Sequence, residues 1–544
     1  MHMNYNSNQD PLKINLSWEP RFGHVAWAIN TIVNDIPQTV IQATDKPIGR
    51  PAYPVQLLLK LLLFGYLRHT FSGRQLARMA HENVVMRWFL GNKLPCPSYR
   101  TLNRFRSSPH TKVLLASLFK TFRHYLHLNG LIDDSALFID GTKILANANK
   151  YTFVWRKAIT KAEANLDKKT DQLYQTLIDH QIKIPVSQQP LTSDDLIKIA
   201  TILTTMIDCL TTQIAHEKPR QGGSARKRVR RKLRHLLHQL ATDFIPRKLK
   251  YEYDDATFGE RNSFSKTDVD ATFMRMKEDP MKNGQLKPGY NLQVACQNQY
   301  ALYYQLFSNP TDTRTLIPFV TNIFGQSPKA VHWIVADAGY GSEPNYQSLT
   351  DDFDLHYLIP YGMYEKEQKR RYHKDRKRLS NWSYNEQRDE YTDLDGIVFT
   401  FHNYSTRHDR YGDTRQFKVY RSVQYFEDAQ REKLATTKSG HRRQISVNYN
   451  WLYFKSLAKT QLQSDFGHQL YACRKHEIEP IFADLKTYLK LHRFSVRGHL
   501  PVSNEIGIAL MANNLLKLSK IPNQTHFETI RKGGNYQESA ITTS

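Results

Sequence analysis

Cysteine is scarce in this chain of 544 residues: there are four, Cys96, Cys209, Cys296 and Cys473, and they lie far apart. That spacing makes neither a zinc ligand set nor a disulfide framework, and it suits a reducing compartment. Long apolar runs are missing too. The longest, VQLLLKLLLFGYL at 55–67, has 13 residues and is broken by Lys60, short of the roughly 20 that span a bilayer. The opening MHMNYNSNQDPLKINL has no basic start followed by an apolar block, so no secretory leader is expected. GYG at 339–341 lacks the third glycine of a dinucleotide fingerprint. No Walker A phosphate loop is present, so ATP is not implied. His476-Glu477 meets proline at 480, so the zinc-helix pattern HExxH fails. Acidic residues are also in deficit, with Asp plus Glu at 51 against Lys plus Arg at 76, a balance of +25. The excess is clustered. RKRVRRKLR (226–234) holds seven basic residues in nine, and KEQKRRYHKDRKR (366–378) holds eight in thirteen. Such clustering favours a polyanionic partner, nucleic acid first. An anionic membrane is the weaker candidate, because no strongly amphipathic anchor is seen.

What is present organises the chain. A hydrophobic content of 40% suffices for folding, and the length predicts two to four domains. Residues 1–130 read as a helical, DNA-binding domain. YPVQLLLKLLLFGYLRH is an apolar helix with Pro54 near its start, followed by the short SGRQLARMAHE and NVVMRWFLG. PSYRTLNRFRSS carries a capping Ser98 and a basic side with Arg100, Asn103, Arg104 and Arg106. Short helices before a basic one suggest a helix-turn-helix; the alternative is a packing domain with a solvated basic face. Residues 131–150 form a strand and turn. Residues 151–284 are a basic helical insertion, with Arg226, Lys227, Arg230 and Arg231 as candidate DNA contacts and a break at Gly222-Gly223. Residues 285–363 alternate strand and helix: a hairpin turning near Asn298, a helix with Asp312 as a possible cap, and further strands. Residues 364–450 are β-rich, 451–521 are helical apart from Pro480, and 522–544 form a polar, disordered tail.

Two buried strands run into aspartates. SALFIDGTKI (135–144) passes Ala136, Leu137, Phe138 and Ile139 into Asp140 and Gly141. HWIVADAGYGSEPN (332–345) passes Trp333, Ile334, Val335 and Ala336 into Asp337, with Gly339 and Gly341 close behind. A buried carboxylate is costly unless paired or metal-bound, and the glycines leave room for close approach. The best third acid is Glu479 in RKHEIEPIFADLK, with Lys475 and Lys486 on the same helical face; Glu477 and Asp484 are its rivals. Three carboxylates holding two Mg²⁺ ions are what phosphodiester cleavage needs.

The order Asp-strand, hairpin, helix, Asp-strand, helix, strand, Glu-helix resembles the RNase H-like fold of DDE transposases. FIDGTKILANANKYTFVWRK, GYNLQVA, VADAGYGSEPN and IEPIFADLK look like transposases of bacterial insertion sequences, and YPVQLLLKLLLFGYL…PSYRTLNRFR looks like their helical amino-terminal domain. The likeness runs over roughly residues 15–520.

The resemblance implies an α/β RNase H-like core interrupted by a helical and a β-rich insertion, with Asp140, Asp337 and Glu479 as catalytic and metal-binding triad. It implies two Mg²⁺ or Mn²⁺ ions and no ATP. Double-stranded DNA would be the partner, both as terminal inverted repeats and as target, with a homodimer in the synaptic complex and a cytoplasmic, nucleoid-associated location. Related transposases carry Tyr-x2-Arg-x3-Glu-x6-Lys around the third acid. Here Tyr471, Arg474, Glu479 and Lys486 leave four residues between Arg and Glu, so either Arg474 or Lys475 faces DNA. Lys143, Lys475 and Lys486 would hold phosphates. Trp382 is the counterpart of a base-handling tryptophan in some relatives, its plainer reading being a core aromatic. The separations 337 − 140 = 197 and 479 − 337 = 142 require insertions in both gaps. The rival functions are a metal-dependent nuclease that does not join strands, and a DNA-binding regulator without catalysis.

Overall fold

The structure, a computed structural model, describes residues 18–42, 52–91, 94–179, 182, 189–218, 224–276, 284–326, 331–409 and 412–521. The expected break at Gly222-Gly223 and the polar tail from Pro522 lie outside them. The chain forms two compact units, one of residues 1–144 with 291–544 and the other of 145–290.

The first unit centres on a mixed sheet. Strand Ala136–Leu145 pairs in parallel with Trp333–Ala336, which pairs in parallel with His356–Leu358. On its other side lies Leu286–Gln297, which forms an antiparallel hairpin with Tyr300–Phe307. Asn298 and Gln299 at the turn have φ of 51° and 60°, the left-handed pair of a tight hairpin whose twist suits its strands. The strand order, mixed direction and flanking helices are consistent with a DDE/RNase H-like core. One expectation needs correcting: Asp140 does not end its strand, which runs on to Leu145.

Helix Val55–Leu67 follows Pro54 and buries ten of its thirteen residues, as an all-round apolar helix must. Helix His499–Leu518 is likewise buried on nearly every side, and it packs against Val55–Leu67, Pro109–Leu128 and strand Tyr300–Phe307. The amino-terminal helices are therefore built onto the core. Asn83 caps helix Val84–Leu90, and Ser98 caps Tyr99–Arg106 by accepting from Thr101 N–H. The β-rich segment is a five-stranded antiparallel sheet around Tyr391, Ile397, Phe399 and Tyr420.

The second unit is helical: Arg156–Asp179, Ser193–Ala215, Ala225–Gln239 and Ile245–Phe258 enclose Leu166, Leu173, Ile199, Leu203, Leu233 and Phe244. Helix Ser193–Ala215 is long and apolar enough to cross a membrane by length and composition, but Leu196, Ile199, Leu203 and Ile207 face this core. Strand Thr272–Arg275 pairs with the start of Leu286–Gln297.

Candidate active site

The register of the two parallel strands brings the aspartates together. Ile139 pairs with Ala336, so Asp140, within its strand, and Asp337, just past the end of the neighbouring one, follow a paired position on strands about 4.8 Å apart. Each carboxylate is oriented by a backbone amide: Gly141 N–H donates to Asp140 Oδ1 at 2.7 Å, and Gly339 N–H to Asp337 Oδ1 at 2.8 Å. The glycines do what their size suggests. A Cβ on Gly141 would lie 2.3 Å from Gln293 Nε2 and 2.8 Å from Asp312 Oδ1; one on Gly341 would lie 2.4 Å from the Pro360 carbonyl oxygen.

Asp312 was expected to cap a helix, but its side chain turns inward. Its Oδ1 accepts from Asn291 Nδ2 at 2.8 Å and from Gln293 Nε2 at 3.0 Å. The Gln293 carbonyl accepts from the Tyr340 hydroxyl. Burial pushes the Tyr340 hydroxyl well up, and the charges of Asp312, Asp140 and Asp337 push it further. Asn291, Gln293, Asp312 and Tyr340 escaped the sequence reading. The available signal was polar alternation: Asn291 and Gln293 interrupt a strand whose Tyr290, Leu292 and Val294 are wholly buried, and buried amides need partners.

From helix Asp465–Ala483, Arg474 Nη1 reaches Asp140 Oδ2 at 3.5 Å. Tyr471 lies beside Arg474 and senses the charge of Asp337; burial, first of all, raises its hydroxyl pKa. Lys475 and Glu479 are exposed. Glu477 points elsewhere, accepting from Gln299 N–H at 2.9 Å. Lys486 is half-buried in a π-turn, Asp484–Tyr488, so the regular facing expected of Lys475, Glu479 and Lys486 is interrupted. The carboxylate oxygens of Asp140 and Asp337 suit a hard cation in kind, but among the described residues no three His, Cys, Asp or Glu stand close enough to hold a metal ion.

The candidate DNA contacts divide sharply. Arg100 and Arg104 are exposed, and the guanidinium groups of Arg74 and Arg100 lie 5.5 and 5.8 Å from the Tyr99 ring centre. Asn103 does not join that basic face: it is wedged against Gly73, where a Cβ would meet its Oδ1 at 2.2 Å. Arg106 is withdrawn as well, being 5% exposed and donating to the Phe71 carbonyl and Ser495 Oγ beside Glu505. Lys143 is half-buried. Arg226 pairs with Glu217 at 2.8 Å and Arg230 reaches Thr211, while Lys227 and Arg231 are exposed. Trp382 stacks on Phe399 at 5.0 Å and donates to the Arg376 carbonyl, the core-aromatic arrangement.

Residues 262–515 match the family model described as Transposase DDE domain, and residues 17–108 match Transposase domain (DUF772). The first match includes Asp337 and Glu479 and begins after Asp140. No curated protein and no solved structure matches the chain.

Proposed function

Because the chain belongs to the insertion-sequence transposases of the DDE class, enzymes of DNA transposition, we propose that Asp140, Asp337 and Glu479 form its catalytic triad. The observation that carries this is the strand register that makes Asp140 and Asp337 neighbours. The family uses divalent metal ions, and these residues would hold two of them, Mg²⁺ or Mn²⁺, which supply Lewis acidity for cutting and joining phosphodiesters. The backbone amides of Gly141 and Gly339 fix one oxygen of each aspartate, which supports these two acids as the fixed part of the site. Arg474 lies 3.5 Å from Asp140 and would hold a phosphate that enters there. Lys143, Lys475 and Lys486 take neighbouring phosphates. Arg74, Arg100 and Arg104, with Tyr99 between two of them, bind the terminal repeats, and Lys227 and Arg231 add non-specific attraction. The enzyme acts on DNA as a dimer in the cytoplasm, at the nucleoid.

The test is cleavage and strand joining by the full chain on DNA carrying the element's ends. Asp140→Asn, Asp337→Asn and Glu479→Gln each abolish both while end binding survives, and Glu477→Gln stays active. Retained cleavage in all three variants overturns the mechanism; cleavage without joining in the parent would make the chain a nuclease.

A further inference from the structure

In the helical unit, residues that the catalytic reading does not use form a groove. Strand Phe153–Trp155 turns Val154 into a small core with Phe258 and Phe264. Alternation therefore sends Phe153 and Trp155 to the opposite face, and Tyr151 precedes them in the turn before the strand. Tyr151 is 75% exposed and Phe153 46% exposed, a high solvation cost for residues with no local reason to be outside. Phe153 and Trp155 have ring centres 5.9 Å apart, and Phe273 supports both from 5.8 and 6.0 Å. Phe153 and Trp155 are thus tilted against one another and braced by Phe273 rather than left loose.

Helix Arg156–Asp179 begins at once. Lys157, Thr160, Lys161 and Ala164 follow helical spacing on one face, and with Trp155 they line an open groove of about 630 Å³. Arg156 fixes the helix start, donating to the Arg261 carbonyl at 3.0 Å and lying over Phe258. The two acids nearest these lysines are engaged elsewhere: Glu163 and Asp167 are both held by Lys248, at 3.0 and 2.7 Å. Lys157 and Lys161 are exposed and form no ion pair among the described residues. Trp155 and the two lysines therefore line the groove with small side chains between them, and Phe153 stands next to Trp155.

We propose that this groove binds an unpaired DNA strand, whose bases stack on Tyr151, Phe153 and Trp155 while Lys157 and Lys161 take its phosphates. A single strand fits this lining better than a duplex does. Alternate residues on a strand stand about 6.6 Å apart, a spacing for splayed bases, and a duplex keeps its base faces hidden. The two lysines are one helical turn apart, about 6 Å along the axis. Aromatic platforms beside a basic track are the general means of holding single strands. The proposal uses the transposase reading only to choose DNA as the polyanion.

The experiment measures binding of the full chain, in chelator, to a fluorescent oligothymidylate of about 20 nucleotides and to a random duplex of the same length. Without divalent ions no cleavage is read, so failure of the triad and failure of this site give different results. Tyr151→Ala and Tyr151→Leu should each weaken oligothymidylate binding several-fold, and Tyr151→Ala with Phe153→Ala at least tenfold, with duplex binding changed less than twofold. Lys157→Ala with Lys161→Ala should lower the salt slope for the single strand by about 1.4, at 0.7 per phosphate. Tyr151 and Lys161 are exposed, so their single variants keep the fold. If Tyr151→Leu binds as tightly as the parent, these aromatics serve apolar docking of another protein and the proposal falls. An unchanged salt slope, or equal losses on duplex and single strand, also overturns it.

Discussion

Arg106 decides between two accounts of the amino-terminal helices. It is 5% exposed and Glu505 is 0% exposed, with Nη1 and Oε1 3.9 Å apart. Nη1 also donates to the Phe71 carbonyl at 2.5 Å and to Ser495 Oγ at 3.1 Å. Glu505 Oε2 accepts from the Ser495 and Val496 amides. Removing one partner of such a pair strands the other charge in the interior and costs about 3–5 kcal/mol. For a unit of about 400 residues Arg106→Met should lower Tm by roughly 4–6 °C, at about 1.2 °C per kcal/mol. The pH dependence follows from Glu505. Burial pushes its carboxyl up, and Ser495 and Arg106 pull it part of the way back. With Arg106 gone the folded pKa rises further. The folded state then holds a proton that the unfolded state has released, and stability falls as pH rises through the interval above 4.5. The loss in Arg106→Met should thus be small near pH 4.5 and full at pH 8, and Glu505→Gln added to it should restore part of the loss. Differential scanning calorimetry at both pH values reads this, with the salt slope of duplex binding measured well below Tm. Were Arg106 a phosphate contact, that slope would drop by about 0.9 and Tm would stay put. That outcome would refute the packing account.

Two further outcomes follow from the same geometry. Gly341→Ala should cost about 1–3 kcal/mol and slow cleavage, since its Cβ meets the Pro360 carbonyl oxygen at 2.4 Å and the Tyr361 Cα at 3.0 Å; an unchanged Tm would show the loop to be loose. Burial lowers Lys60 to about 8, although Asn30 and Asn34 accept from its Nζ at 2.7 and 2.6 Å. Between pH 8 and 10.5 the unfolded state holds the proton that the folded state releases, so the parent should gain about 1 kcal/mol or more on Lys60→Gln as pH rises from 7 to 10, read by urea denaturation.

Much of the core was legible because its signals are local. The apolar runs into Asp140 and Asp337 mark buried parallel strands without reference to distant residues, and the hairpin, the helix after it and the β-rich segment follow from short patterns. Arg106 was misread although periodicity carried a warning. Leu102, Phe105 and Arg106 stand at i, i+3 and i+4, the spacing of a core face, and all three are buried. An arginine stem packs well against apolar surface, so basic character alone was a poor guide to exposure. Asp312 and the facing of Lys486 were beyond local reading. The first depends on Asn291 and Gln293 of another strand, the second on a π-turn at Asp484–Tyr488 that no residue pattern announces.

The third carboxylate is where motif and position part. Glu479 has the motif, but it lies five residues after Arg474, about 140° round the helix from the side chain that touches Asp140. Asp312 has the position, beside Gly141 and Gly339. The hydrogen bonds give Asp312 a structural task. Asp312 Oδ1 is occupied by two amide groups whose residues, Asn291 and Gln293, are 1% and 0% exposed. Leaving either unsatisfied costs about 1–3 kcal/mol, so Asp312 acts as a brace for the strand beneath the aspartates, and exposed Glu479 is the acid we propose to meet the metal counter-ions of an incoming phosphate. Asp312→Asn keeps an acceptor oxygen and removes a charge close to two others, a loss of hydrogen-bond strength offset by relief of repulsion. Its Tm should stay within about 2 °C of the parent, for a net change near 1 kcal/mol, and its cleavage rate within tenfold. Asp312→Ala should lose stability outright. Glu479→Gln should keep its Tm and lose cleavage. Cleavage assays in Mg²⁺, paired with calorimetry of the same preparations, separate the two acids. If Asp312→Asn folds like the parent and is inactive while Glu479→Gln cuts, then Asp312 is the third acid and the helix motif has been assigned to the wrong carboxylate.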